Sequence, residues 1–228
     1  MGLLRALTLL LFALALGSAA EASLQSSRQA QPPKRSKELS FKGFSKARFA
    51  EHDALIQRLV AQFNKDKAGW TGASASQARQ IADLKPAVIK ALFLQESGGG
   101  LPGDLAAWRK DPGQVNLPGN WSKYKADLGL KEPKVPNTGT LEGNVKAAIQ
   151  LLVRKGFGKS GRAPSARPTA TFDGWRTALE RYNGRSVITT NGKSYQVNYA
   201  ERILERASRP SEAAPIPLPK PKPKPAAK

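Results

Sequence analysis

Pro86-Ala87-Val88-Ile89-Lys90-Ala91-Leu92-Phe93-Leu94-Gln95-Glu96-Ser97, followed by Gly98-Gly99-Gly100, is the stretch on which the fold turns. Pro86 suits a first helical turn, where its missing N–H is not needed, and a glycine run is a strong stop signal. Val88, Ile89, Leu92, Phe93 and Leu94 leave little polar surface between them, so the pattern predicts a buried helix over 86–97. One acid sits near its end. At Glu96 the apolar neighbours and the negative end of the helix both disfavour the ionised carboxylate. A carboxylic acid that keeps its proton near neutral pH is what general acid catalysis at a glycosidic oxygen requires. Many glutamates at helix ends simply face solvent, and position alone does not separate the two readings.

Outward from this helix the dominant period is again helical. Residues 51–66 put Leu55, Ile56, Leu59, Val60 and Phe63 on one stripe. Further helices are predicted over 74–84, over 140–155 (Leu141, Val145, Ala148, Ile149, Leu152), over 173–182 (Trp175, Ala178, Leu179, Tyr182) and over 198–207. Residues 186–190 and 193–197 flank Asn191-Gly192, which predicts a small β-hairpin. Residues 98–139 read as a long irregular middle. The fold class is therefore mostly α, a single helical domain over 41–208 with one hairpin.

The flanks carry different signals. Arg5, the apolar run Leu7 to Leu16 and the small residues Gly17 to Ser23 read as a signal peptide over 1–22, and the run is too short to span a bilayer. This predicts an exported protein, periplasmic or otherwise secreted to the cell wall, and not membrane-spanning. Residues 23–40 read as a disordered basic linker and 209–228 as a disordered Pro/Lys-rich tail of polyproline II character.

Composition excludes several kinds of chemistry. The 228 residues include no Cys and a single His, His52, with 37 Lys+Arg against 17 Asp+Glu and a net charge of +20. Thiolate metal sites, iron–sulfur clusters and Cys nucleophiles are excluded, as are metal sites that need two histidines. What is left is mainly carboxylate chemistry, with no cofactor and no metal predicted. His52, between Glu51 and Asp53, reads as a surface residue. Asp104 and Asp111, the nearest acids after Glu96, lie among Gly and Pro and read as turn or N-cap residues.

Four pieces in order resemble the lytic transglycosylase branch of the lysozyme-like superfamily, over about residues 85–205. The 86–98 stretch is similar to the family's first motif, a helix ending in the catalytic Glu followed by Ser and Gly. Gly113-Gln114-Val115-Asn116-Leu117-Pro118-Gly119-Asn120-Trp121 resembles the second, and Asn144-Val145-Lys146-Ala147-Ala148 the helix start that follows. Phe172 to Gly184, ending Tyr182-Asn183-Gly184, resembles the Ala-x-x-Tyr-Asn-x-Gly motif, and Tyr195 to Leu204 the closing helix. One departure stands out. Asp111-Pro112-Gly113-Gln114 replaces the usual Gly-Leu-Met-Gln, which removes an apolar contact expected to shape the sugar cleft while keeping the Gln.

The resemblance implies a lysozyme-like α+β fold and a peptidoglycan lytic transglycosylase with Glu96 as acid and then base. It implies cleavage of the MurNAc–GlcNAc β-1,4 bond to 1,6-anhydro-MurNAc products. Ser97, Gln114, Asn116, Tyr182 and Asn183 are implied as substrate-side residues. Four of them have a plainer reading: Ser97 as a helix-end hydroxyl, Gln114 as a solvated loop residue, Tyr182 as core and Asn183 as a C-cap. Trp108 and Trp121 either stack on sugars or pack. The alternatives are a lysozyme-type hydrolase, with Asp104 or Asp111 as second carboxylate, and a non-catalytic peptidoglycan-binding protein. The charge suits the polyanionic wall, with glycan strands as partner and the Pro/Lys tail reaching an anionic envelope polymer or protein. A nucleic-acid partner is not expected, because no recognition motif accompanies the charge.

Overall fold

The computed structural model of the protein describes residues 51–98 and 104–208. The signal-peptide, linker and tail readings fall outside them. Eight α-helices follow one another among the described residues: α1 Asp53–Lys65, α2 Lys67–Thr71, α3 Ala75–Gln80, α4 Pro86–Ser97, α5 Leu105–Lys110, α6 Leu141–Gly156, α7 Gly174–Asn183 and α8 Tyr195–Ser208. Two 3-10 turns, Lys123–Leu128 and Pro164–Ala166, join them. The fold is mostly helical, and none of the described helices is long and apolar enough to cross a membrane.

Helix α4 is the centre. Val88 to Leu94 are all buried, Lys90 included, and Gly98 closes the helix at φ +58°. Such a left-handed cap favours glycine, as the Ser97-Gly98 junction predicts. Lys90 is reached from α1 by Asp53, which gives the buried ammonium a counter-charge on the neighbouring helix. Helices α1 and α8 pack on α4, α1 also meets α6, and α6 and α8 both pack on α7. Ala147, Ala148, Ile149 and Leu152 of α6 and Ile203 of α8 reach the same core as Phe93 and Leu92.

Three departures from the sequence reading have a local reason. The helix expected over 74–84 stops at Gln80. Ser74 and Gln77 form a capping box at its start, but at its end Asn64 pairs with both the N–H and the C=O of Leu84 at 2.9 Å, holding 81–85 extended. The residue before Pro86 is extended for the same steric reason that any residue before proline is. Second, the irregular middle contains α5 and the 3-10 turn at Lys123–Leu128.

Third, the β-hairpin is reduced to one isolated antiparallel bridge, Ile188 to Ser194. Helix α8 begins at Tyr195 rather than at 198, started by Ser194, whose carbonyl and hydroxyl receive the N–H groups of Asn198 and Val197. Asn-Gly does turn the chain, with Gly192 at φ +82°. Its outcome is a knot rather than a ribbon: Thr189, fully buried, donates to Asn191 Oδ1 at 2.7 Å, and Asn198 Nδ2 donates back to Thr189 Oγ1 at 2.8 Å. The knot fastens residues 185–194 to α8, beside the end of α7.

Candidate active site

The C-terminal turn of α4, the loop 111–120, the end of α7 and the start of α8 enclose a cleft of about 370 Å³, at the small end of ligand pockets (roughly 300–1,000 Å³). Glu96 is its one acidic wall residue among those described. Tyr199 of α8, 2% exposed, donates its hydroxyl to Glu96 Oε1. Burial pushes the Glu96 carboxyl from 4.5 up to about 7. The Tyr199 hydrogen bond pulls it back down, the nearby Asp111 charge adds to the rise, and Arg185 lowers it slightly. Burial wins, so near neutral pH the carboxyl holds and releases a proton readily. Burial and the Glu96 charge raise the Tyr199 phenol well above its ordinary value, which keeps it a donor.

The loop opposite is built on Asp111. Its carboxylate is fully buried and accepts the N–H groups of Val115 (3.0 Å) and Asn116 (2.8 Å), closing the turn that follows α5. Inside that turn Gln114 is in the left-handed region at φ +50°, and its side-chain amide donates to the backbone carbonyl of Glu96. Lys125, 3% exposed and on the cleft wall, donates to the carbonyls of Val115 (2.9 Å) and Asn120 from the other side. A loop this closely tied can hold a non-glycine residue at positive φ.

Gly113 sits where the chain leaves no room for a side chain. A Cβ there would lie 2.8 Å from Ala148 Cβ and 3.1 Å from Phe93 Cε1, and Tyr182 donates its hydroxyl to the Gly113 carbonyl at 2.7 Å. The backbone itself occupies the space next to Phe93 that the sequence reading treats as a lost apolar contact.

Of the residues predicted from sequence, Glu96, Gln114, Tyr182 and Asn183 come together on this cleft. Tyr182 does so through the Gly113 carbonyl rather than through Glu96. Asn183 ends α7 and accepts the Arg185 N–H at 3.3 Å, while Gly184, at φ +72°, takes the left-handed cap. Two predictions need correction. Ser97 is fully buried and spends its hydroxyl proton on the Phe93 carbonyl at 2.7 Å, so it braces α4 and does not orient the Glu96 carboxyl. Asn116 is 3% exposed, donates to Thr138 Oγ1 at 3.2 Å, and lines a separate pocket beside Asn144 and Gly143. Its side chain follows the Asp111 turn away from Glu96.

Among the other residues, Trp108 is 1% exposed and packs in the core, and Trp121 packs partly buried against it. His52 is buried at 4% exposure, not on the surface: its ring lies 4.6 Å from the Trp108 ring and Nε2 is 2.7 Å from the Trp108 carbonyl. Asp111 closes a turn, as the sequence reading expects of it, with its carboxylate buried and accepting two backbone N–H groups. Asp104 precedes α5 without a side-chain cap and does not line the cleft.

Among the wall residues that the sequence reading does not assign to the site are Tyr199, Lys125 and Arg185. A buried tyrosine needs a partner for its hydroxyl, and that rule marks Tyr199 as more than an apolar core residue. Nothing in the sequence around Lys125 or Arg185 sets them apart from the other cations.

No group of three or more acids and histidines among the described residues could hold a metal ion. Comparison of the chain with protein-family models, curated proteins and solved structures gives no match. The cleft offers proton transfer to and from one carboxyl, flanked by three phenols, neutral amides and two cations.

Proposed function

We propose that this chain is an exported peptidoglycan lytic transglycosylase that breaks the MurNAc–GlcNAc β-1,4 bond without water. One observation supports this over two-carboxylate hydrolysis: Glu96 is the one acid on the described cleft wall. Hydrolysis with retention or inversion needs a second carboxyl roughly 5–5.5 or 6.5–9.5 Å away. Asp111 is spent on two backbone N–H groups and fully buried, so it is not available to activate water.

In the proposed reaction the protonated Glu96 gives its proton to the glycosidic oxygen as the C1–O bond breaks. The substrate's own N-acetyl oxygen shares the positive charge at C1. The Glu96 carboxylate then removes the C6 hydroxyl proton, and O6 bonds to C1, closing the 1,6-anhydro ring and leaving Glu96 protonated again. A carboxyl near 7 suits both transfers. Tyr199 is a positioning residue in this scheme. Gln114, Asn183 and Arg185 are placed to meet the sugar hydroxyls and N-acetyl group. The signal-peptide reading of 1–22 puts the enzyme in the periplasm or cell wall, where its strand substrate lies. The lysozyme-like fold is part of the same proposal.

Incubation with purified sacculi tests enzyme against binder: soluble muropeptides should accumulate with the wild-type chain, and pelleting without release would leave a binding protein. The pH profile tests Glu96 itself. The acid form is the reactive one, so kcat/KM should fall about tenfold per pH unit above about 7. The Tyr199 bond favours the ionised carboxylate, so Tyr199→Phe should move this alkaline limb to higher pH. A limb that moves downward or stays in place would contradict the assigned role of Tyr199.

A further inference from the structure

Beside the catalytic cleft, and sharing Asn120 with it, runs a second and larger depression of about 930 Å³. Lys123, Lys155, Lys159 and Arg162 line it, against the single acid Asp127. That acid faces the buried guanidinium of Arg154 from 3.9 Å. Lys123, Lys159 and Arg162 are exposed and have no ion-pair partner among the described residues. Some surface cations elsewhere have partners, Arg58 with Glu142, Lys67 with Asp83, Arg176 and Lys193 with Glu201, and others such as Lys131 and Lys134 have no ion pair among the described residues; what marks this groove is four cations gathered around one acid. On the groove wall the Lys155 ammonium donates to the Lys159 carbonyl at 2.6 Å, and Arg181 donates to the Lys155 and Gly156 carbonyls at 3.2 Å. Burial and the Arg181 charge make the Lys155 ammonium harder to hold, a strain that an anion would relieve.

We infer that this groove receives the carboxylates of the peptides attached to the same glycan strand whose sugars occupy the Glu96 cleft. The inference rests on the transglycosylase reading. A ligand continuous with the cleft is favoured because Asn120 belongs to both walls. The substrate class is thus peptide-bearing strands, in preference to strands stripped of peptide.

The test uses the full chain carrying Glu96→Gln, so that strands bind without being cut, with and without the exposed pair Lys159→Ala and Arg162→Ala. Calorimetry compares peptide-bearing strands, the same strands after amidase removal of the peptides, and linear polyphosphate. Losing two exposed charge contacts should weaken binding of peptide-bearing strands about three- to tenfold at low salt and leave peptide-free strands unchanged. Equal affinity for both strand types before mutation, or an equal loss on both, overturns the groove inference while leaving the cleft reading intact. A loss on polyphosphate alone assigns the groove to a phosphate polymer and overturns it as well. Binding of neither strand type overturns the cleft reading and the inference with it. Unchanged melting temperature of the double variant keeps misfolding out of the comparison.

Discussion

On the proposed mechanism, Glu96→Gln should abolish strand cleavage and make the protein more stable at alkaline pH. Glutamine matches the carboxyl in volume but cannot supply a proton. Loss of general acid catalysis costs roughly 10²–10⁴ in rate, and the second step here depends on the same group. The stability effect has the opposite sign. Burial raises the folded-state value of Glu96 from 4.5 to about 7, so the unfolded chain loses the proton first as pH rises. Below about 4.5 both states are protonated and there is no penalty. Between 4.5 and 7 the wild-type chain loses stability relative to the variant, and above 7 the deficit levels off at about 3 kcal/mol. Denaturant unfolding of both proteins at pH 4 and pH 8, with activity on sacculi, checks the two effects together. A variant that stays active, or a stability difference that does not grow with pH, would remove Glu96 from the site.

Asp111→Ala has the next largest effect. The buried carboxylate is the acceptor for the Val115 and Asn116 N–H groups and faces the Lys125 ammonium. Alanine leaves two buried donors unmade at about 1–3 kcal/mol each. It also frees the turn that holds Gln114 at positive φ against the end of α4. A misplacement of about 1 Å in such a wall can cost roughly 10² in rate. Burial raises the Asp111 carboxyl, so the ion itself is costly and its value lies in its oxygens. Asp111→Asn keeps one acceptor without the charge, and should be the milder change in both stability and rate. Chemical denaturation and sacculus digestion rank the two variants; an equal or reversed order would contradict the acceptor role.

The parts of this fold that were legible in the sequence are those where one interaction dominates. The limits of α4 follow from Pro86 at one end and Gly98 at the other, and its apolar surround places Glu96 against the core. Helix α3 ends early because of Asn64, which lies in another helix and leaves no local signal. Ser194 is a usable helix-start signal, but β-branched neighbours and Asn-Gly favour a strand locally, and the Thr189–Asn191–Asn198 knot decides the matter through tertiary contacts. In the site, the apolar neighbours of Glu96 made its desolvation legible, while its reading as the reacting acid needed the motif resemblance as well. Ser97 and Asn116 were misread because each follows a residue that faces the cleft, while its own side chain turns into the core or behind the loop. Lys125 and Arg185 reach the cleft through folding that spacing does not report.

The central claim is that one carboxyl does the chemistry without water, and digestion of sacculi in ¹⁸O-labelled water measures it directly. Mass spectrometry of the released muropeptides should show 1,6-anhydro ends, one water lighter than hydrolysis products and free of label. Reducing ends carrying one ¹⁸O would show that water attacks C1, and would contradict the account.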